Sequence, residues 1–405
     1  MKKPALLYYC QSTDGLGGLG PALAIARRLA HRFRVVILNG GPPQPATTIP
    51  QDVEIVQLPP LQPVAGTKRS ARNTSMVWKR DQVTRAETIV SRFRALKPHV
   101  LLIETYPFGP RSLADELLPL IDAASGSPFN RPFIICSVKD IVSGNENGKE
   151  KQDDKSAKLL EKNFDAVIVH SDPSFSRFQE FFQPRNALTT PIYHTGFVMQ
   201  DRKSASRRAI KEKRVLVAAG SGSTGMALCQ AAAEAHRILW EVDHLPMTIV
   251  AGADIPQPDW KKLKLKVDGL PAIKLRRSVA DLGAEFAKVR WAVCQSDYVT
   301  AIDVLASGVA ALLVPAHENS LSEQTIRAQR LSNWRAAQML MPRHLNDASL
   351  ANGIHQLVKF RPLANSFNMD GAEITSNLVY HLSLSEDVRA EQLVKRTRSE
   401  RPHPH

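Results

Sequence analysis

The sequence predicts an α/β protein built from two doubly wound, Rossmann-like domains that face each other across a cleft. Its 405 residues, of which 43% are hydrophobic and 23% charged, can bury a large core, and a chain of this length favours two domains over one. Short apolar runs alternate with longer amphipathic segments, which is typical of parallel sheets covered by helices. This alternation is interrupted once, by a basic connector at 201–214, and then begins again.

The connector divides the chain into predicted domains. We expect a first domain at 1–196, a linker at 197–213, a second domain at 214–385 and a basic, disordered tail at 386–405. A polar stretch at 143–156 is predicted to be a mobile surface loop. In open α/β sheets ligands bind beyond the carboxyl ends of the strands, so a site is expected in the loops that follow the strands.

The apolar and amphipathic runs predict the individual elements. Strands of the first domain are predicted at 5–10, 34–38, 53–57, 100–104, 133–137 and 166–170, and its helices at 21–30, 74–96, 112–122 and 173–182. Strands of the second domain are predicted at 214–218, 247–251, 291–294 and 311–314, and its helices at 226–240, 278–288, 299–307 and 322–334.

Composition narrows the class of protein. A formal net charge of +14 and a pI near 9.7 draw the protein to anionic surfaces. With 6% aromatic residues and no interleaving of basic and aromatic residues of the type found in RNA-binding proteins, the sequence argues against a nucleic-acid binder. The histidines have no paired ligand spacing, so we expect no metal site. Four widely spaced cysteines are expected to be reduced core residues of a cytoplasmic protein: Cys10, Cys136, Cys229 and Cys294.

A glycine-rich loop at 14–20 follows the first predicted strand and precedes a predicted helix. Glycines in such a loop let the backbone approach a ligand at the positive end of the helix. Gly15, Gly17 and Gly20 match the spacing of a dinucleotide-binding loop. However, the second predicted strand is followed by Asn39 rather than by the acidic residue that would hold an adenosine ribose, which argues against NAD.

A second glycine-rich loop, at 219–225, also connects a predicted strand to a predicted helix. It lacks the lysine of a P-loop. Its backbone N–H groups and hydroxyls are suited to cradle a diphosphate, while a flexible turn is the alternative interpretation. The residues that we expect to contact phosphate are Gly220, Ser221, Gly222, Ser223 and Thr224.

Several short motifs then follow one another in order between 278 and 328. They are Ser-Val-Ala-Asp-Leu from Ser278, Trp-Ala-Val-Cys-Gln-Ser from Trp291, Thr-Ala-Ile-Asp from Thr300, the run from Gly308 to Pro315, and Glu-Gln from Glu323. In this order they resemble the donor half of the MurG-like glycosyltransferases, of the family 28 type, which have the GT-B fold. The segments from Glu104 to Gly109 and from Cys136 to Asp140 resemble a predicted-glycosyltransferase branch of that family.

The resemblance extends over nearly the whole chain and implies a nucleotide-diphosphate sugar, UDP-linked, bound as substrate by the second domain without a cofactor. An acceptor hydroxyl would enter from the first domain, and transfer would be inverting and independent of metal. The resemblance places Val279 beside the base, Ser296 and Thr300 near the diphosphate, Asp303 on the ribose, and Glu323 and Gln324 on the sugar.

The family also meets lipid-linked acceptors, which implies peripheral contact with the inner face of an anionic membrane. Basic residues around Trp78, on the predicted helix at 74–96, would make that contact: Arg69, Arg72, Lys79, Arg80, Arg85, Arg92 and Arg94. An ordinary solvated helix is the alternative. No apolar stretch approaches the roughly 20 residues that are needed to span a bilayer.

One departure from the family pattern concerns catalysis. Gly18 stands where the family has a histidine, so a general base has to be found elsewhere. Asp14 begins the same loop and Glu104 ends a neighbouring strand; we favour Asp14, because its loop contacts both substrates in similar enzymes. Asp140 also follows a predicted strand, and ion pairing or capping is an alternative role for it and for Glu104. Two other functions stay open, a nucleotide-sugar 2-epimerase of the same fold and an inactive nucleotide-sugar-binding protein.

Overall fold

A computed structural model describes residues 3–11, 18–43, 49–59, 71–126, 131–141, 149–200, 211–220, 225–316, 319 and 322–384, with the backbone alone at 71–81 and 111. Contacts divide the chain into two compact units. The chain passes from the first unit to the second between Val198 and Met199, and it returns to the first unit at Asp370.

The first unit contains a seven-stranded parallel sheet in the order β3-β2-β1-β4-β5-β6-β7. Its strands are β1 Ala5–Cys10, β2 Arg34–Asn39, β3 Val53–Gln57, β4 Val100–Glu104, β5 Phe133–Val138, β6 Ala166–Val169 and β7 Ile192–His194. Its helices are α1 Gly20–Leu29, α2 Ala71–Leu96, α3 Ala114–Ser125, α4 Lys149–Asn163 and, from the end of the chain, α11 Gly371–Leu384. The central strands are apolar on both faces because helices cover both sides of the sheet.

The second unit contains a six-stranded parallel sheet in the order β10-β9-β8-β11-β12-β13. Its strands are β8 Glu212–Ala218, β9 Met247–Val250, β10 Ile273–Arg276, β11 Val289–Cys294, β12 Ala310–Leu313 and β13 Gln338–Met339. Its helices are α5 Met226–Asp243, α6 Gln257–Val267, α7 Leu282–Lys288, α8 Tyr298–Ser307, α9 Glu323–Asn333 and α10 Asp347–Lys359. The two sheets confirm the predicted class of two doubly wound α/β units.

The second domain was predicted to extend to residue 385, but the chain returns to the first unit at Asp370. Helix α11 packs on α1 of the first unit, where Arg32 Nη1 donates to Asn377 Oδ1 at 2.7 Å and the Phe33 and Tyr380 rings lie 6.1 Å apart. A Cβ atom on Gly371 would lie 2.4 Å from the carbonyl oxygen of Gly196, so only glycine allows this close approach. The pattern of apolar residues predicts that a helix is covered, but not which of two cores covers it.

Two local predictions differ from the structure. Helix α4 begins at Lys149, inside the stretch that was expected to be a mobile loop, because Ala157 and Leu160 are buried in the core of the first unit. The helix predicted at 173–182 is limited to a 3₁₀ turn, Phe178–Glu180. In addition, the short strands β7, β10 and β13 and the helices α4, α6, α10 and α11 were not predicted from the sequence.

The predicted burial of the cysteines is confirmed, since all four are buried and free. Over the residues that the structure describes, no helix is both long and apolar enough to cross a bilayer.

Candidate functional site

In the second unit the neighbouring strands β8 and β11 bring Gly220 and Gln295 together at their carboxyl ends. The N–H of Gly220 donates to Gln295 Oε1 at 3.0 Å, and a Cβ atom on Gly220 would lie 2.1 Å from that oxygen. The Gln295 side chain is 5% exposed, so it forms a buried support for the start of the glycine-rich loop. Residues 221–224, the rest of the predicted phosphate loop, lie outside the described residues, and their role stays a prediction.

Ser296 links β11 to α9. It is buried, its Oγ donates to the carbonyl oxygen of Gln324 at 2.8 Å, and its own carbonyl oxygen accepts from Arg327 Nη1 at 2.6 Å. A hydroxyl has one hydrogen to donate, so Ser296 has none left for a phosphate. The hydroxyl and the carbonyl of Ser296 thus both bind within the protein, and the contact near the diphosphate that the resemblance implies stays a prediction.

Helix α8 begins directly after this strand. Asp297 caps it by accepting from the N–H of Thr300 at 3.1 Å, and its carboxylate lies at the positive end of the helix. Thr300 and Asp303 are 8% and 5% exposed. Since they are three positions apart on one helix, they lie on the same face. The structure therefore brings together the two residues that were predicted near the diphosphate and the ribose.

The first turn of α9 carries the two residues that were predicted to hold the sugar. Ser322 caps the helix through the N–H of Thr325 at 3.1 Å. The Glu323 side chain is 34% exposed. Gln324 Oε1 accepts from the N–H of Ala316 at 3.0 Å, so the side-chain amide of Gln324 is held by the loop after β12.

Val279 follows β10, which is separated from β8 by β9 in the sheet. It is partly exposed and lies just before α7, which Asp281 caps through the N–H of Ala284 at 2.9 Å. The loops after β8, β10 and β11 and the start of α9 therefore carry the described residues that were predicted for the donor. This is the edge of an open parallel sheet at which ligands bind.

In the first unit Glu104 ends β4 beside Ser137 of β5. It is 9% exposed, and the next residue, Thr105, has a φ of 67°, a left-handed conformation that costs a threonine free energy. Burial raises the pKa of Tyr8 well above its usual value, with further increases from the neighbouring Cys10 and Glu104. Glu104 thus lies in a nearly enclosed polar cluster at the carboxyl ends of the strands.

The other predicted catalytic carboxylate, Asp14, lies outside the described residues. Gly18 is described and is buried. Asp140 is 1% exposed, and its carbonyl oxygen accepts from Ser176 Oγ at 2.7 Å.

A buried histidine that was not predicted from the sequence, His170, directly follows β6. His170 Nε2 lies 2.7 Å from Ser137 Oγ, and its Nδ1 lies 3.2 Å from Thr195 Oγ1. Thr375 donates to Thr195 Oγ1 at 3.0 Å and so joins α11 to this network. Burial, with a smaller effect of the positive charge of Lys139, lowers the pKa of His170 to about 3. The sequence offered one indication of this contact, since Ser137 and His170 end two of the predicted strands.

The stability of the protein should therefore fall in acid. His170 is neutral when folded, with a pKa of about 3, whereas an unfolded histidine titrates near 6.5. Its full contribution is present above pH 6.5 and is lost as the pH falls towards 3, so we expect a loss of about 2 kcal/mol between pH 7 and pH 5. Urea unfolding at several pH values measures this slope. In His170→Asn the free energy of unfolding should depend less steeply on pH. An equal dependence in both proteins would contradict the conclusion that His170 causes the loss of stability in acid.

The predicted basic surface around Trp78 is wrong at Arg85, which is not on the surface. Its side chain is fully buried between α2 and α3, where Nε pairs with Glu116 Oε2 at 2.6 Å and Nη2 donates to Gln11 Oε1 at 2.8 Å. Tyr9 donates its hydroxyl hydrogen to the same carboxylate. Arg92 and Arg94 of the predicted surface are exposed. The side chains of the other predicted contacts lie outside the described residues: Arg69, Arg72, Trp78, Lys79 and Arg80.

Two parallel α/β units in one chain, with the predicted donor residues at the carboxyl ends of the second sheet, are the architecture of the GT-B fold. Solved structures confirm this class. Neither the models of known protein families nor the curated proteins gave a significant match to the sequence.

The calicheamicin glycosyltransferase CalG4 is similar to the protein with a TM-score of 0.57 and 16% identity, over 99% of this chain and 100% of that chain. MurG from Acinetobacter baumannii is similar with a TM-score of 0.51 and 14% identity, over 97% and 100%. The structure of TcCGT1 in complex with UDP has a TM-score of 0.58 and 12% identity, over 98% and 99%. The protein therefore shares its whole fold with solved glycosyltransferases.

Proposed function

We propose that the protein is a glycosyltransferase that transfers a sugar from a UDP-linked donor to an acceptor hydroxyl, with inversion and without a metal ion. The observation that carries this proposal is the clustering of the predicted donor residues at one edge of the second sheet. Gly220 is held by Gln295, Thr300 and Asp303 share a face of α8, and Glu323 begins α9. The likeness to solved glycosyltransferases supports it through the fold.

The chemical role of this edge is to bind the leaving group. Helix α5 begins immediately after the loop at 220–224, with Gly225 as its N-cap. A Cβ atom on Gly225 would lie 2.7 Å from the Cβ of Ala219, so the two ends of the loop pack closely. Backbone N–H groups and the positive end of an 18-residue helix would stabilise the charge that develops on the departing diphosphate.

The acceptor would bind to the first unit, where Glu104 or Asp14 would remove the proton from its hydroxyl. Exposed cations on α2, Arg92 and Arg94, support an acceptor that is carried on an anionic membrane. Strands β1 and β4 are neighbours in the sheet. Asp14 follows β1 in the sequence, and Glu104 is the last residue of β4.

A panel of radiolabelled nucleotide sugars, incubated with and without lipid extract, tests the reaction. Release of free UDP that requires the extract, with label transferred to lipid, supports a transferase. An altered sugar without acceptor would instead indicate the epimerase, and binding without any reaction would indicate a binding protein.

Replacing Asp303 by alanine should weaken UDP binding by about 1.5 to 3 kcal/mol, roughly ten- to 150-fold in Kd, because a charged hydrogen bond to the ribose is lost in a desolvated site. Isothermal calorimetry with UDP measures the effect. Asp347→Ala, which removes an exposed carboxylate from α10 of the same unit, is the matched control and should leave Kd unchanged. An unchanged Kd in Asp303→Ala would remove this residue from the donor site.

A further inference from the structure

A buried arginine lies directly behind the residues that were predicted to hold the sugar. The Arg327 side chain, on the second turn of α9, is 1% exposed. A buried guanidinium is stable only when its charge is paired and its N–H groups have acceptors. Its contacts therefore define what this arginine does in the protein.

Arg327 connects three parts of the donor site. Nη1 donates to the carbonyl oxygen of Ser296 at 2.6 Å, and Nη2 lies 3.3 Å from Glu323 Oε2. The guanidinium carbon lies 5.9 Å from the centre of the Tyr298 ring, in the first turn of α8. A planar guanidinium presents its donors in a fixed fork, so the distance between the Ser296 carbonyl and the Glu323 carboxylate is set by one rigid group.

The consequence is a fixed orientation for Glu323. The Glu323 side chain is 34% exposed, and Arg327 contacts one of its two carboxylate oxygens, Oε2. Its neighbour Gln324 is tied to the same turn, because Ser296 Oγ donates to its carbonyl oxygen at 2.8 Å. Both residues that were predicted to bind sugar hydroxyls are thus anchored to the loop after β11.

We propose that Arg327 is a positioning residue for sugar selection: it fixes Glu323 and, through Ser296, the start of α9, so that the site distinguishes one UDP-hexose from another. Arg327 itself is enclosed and does not touch the sugar. This inference rests on the proposed function, since it assigns the sugar end of the same donor site. Its distinctive consequence is that sugar affinity depends on Arg327 while UDP affinity does not.

Arg327→Lys is the primary variant because it keeps the buried charge, whereas a single ammonium cannot reproduce the fork. Calorimetry gives Kd for UDP and for UDP-glucose, UDP-galactose and UDP-N-acetylglucosamine. For the hexose that the wild type binds most tightly, Kd should rise about tenfold, as expected for the loss of one charge-assisted hydrogen bond. Kd for UDP should change by less than about twofold, and the differences among the hexoses should shrink.

Two further variants separate positioning from stability. Glu323→Gln should cause a similar loss, and the double variant Arg327→Lys/Glu323→Gln should be no worse than either alone, since both changes remove one interaction. Arg85→Met removes another buried, paired arginine, in the first unit, and should lower the melting temperature without changing the ratio of the UDP-hexose and UDP affinities.

Equal weakening of UDP and UDP-hexose in Arg327→Lys, or no change in either, would overturn the inference. It would also be overturned by a wild-type protein that binds UDP but does not distinguish among the hexoses. A wild-type protein that binds none of these nucleotides contradicts the proposed function itself, which is a different result.

Discussion

Glu104→Gln should lower the turnover of the wild-type reaction by about a hundredfold or more and leave the Kd for UDP nearly unchanged. An acceptor hydroxyl is a poor nucleophile at neutral pH, and a positioned base contributes about that factor. Glu104 lies in a nearly enclosed cluster at the end of β4, next to a strained residue, and such positions occur often in active sites. UDP release with lipid extract as acceptor measures turnover, and calorimetry measures donor binding.

Asp14→Asn is the competing variant, since the sequence favours Asp14 as the base. A strong loss of turnover in one variant alone assigns the base to that residue. Glu54→Gln, an exposed carboxylate on β3 of the same unit, serves as the matched control and should keep full turnover. If Asp14→Asn and Glu104→Gln both keep full turnover, neither is the base. If UDP binds but no acceptor supports turnover, Gly18 marks a transferase fold that has become a binding protein.

Glu116→Leu should reduce the free energy of unfolding by about 3 to 5 kcal/mol. The change leaves Arg85 without its carboxylate in a fully buried position, and an uncompensated buried charge is strongly destabilising. Urea unfolding followed by circular dichroism measures the loss.

The double variant Arg85→Met/Glu116→Leu removes both charges and should regain most of the stability that Glu116→Leu loses. Glu54→Leu breaks an exposed pair with Arg34 in the same unit and should have a much smaller effect. A double variant as unstable as Glu116→Leu alone would show that lost packing, rather than the unpaired charge, causes the effect.

The amino-acid sequence was sufficient to predict the layers of the fold and the strand ends at which we propose the site. Strands such as Ala5–Cys10 and Val53–Gln57 have the predicted bounds. Such strands can be predicted because their buried positions form a short run of apolar residues in the sequence. The same local pattern correctly predicted that Gly220 follows β8 and that the motif from Thr300 lies on α8, so the sequence also predicted which elements carry the proposed donor residues.

The partners of the polar side chains could not be predicted from the sequence and are seen only in the folded protein. Arg85 belongs to a basic amphipathic segment in the sequence, yet Glu116, 31 positions away, holds it inside the core. Ser296 matches a phosphate-binding motif, yet its hydroxyl is bound to Gln324, and His170 meets Ser137 through the pairing of β5 and β6. Apolar periodicity is a property of residues that are neighbours in the sequence, so it can be recognised without a structure. A hydrogen bond between distant residues forms only when folding brings a donor and an acceptor to about 3 Å, and no sequence pattern shows which two groups will meet.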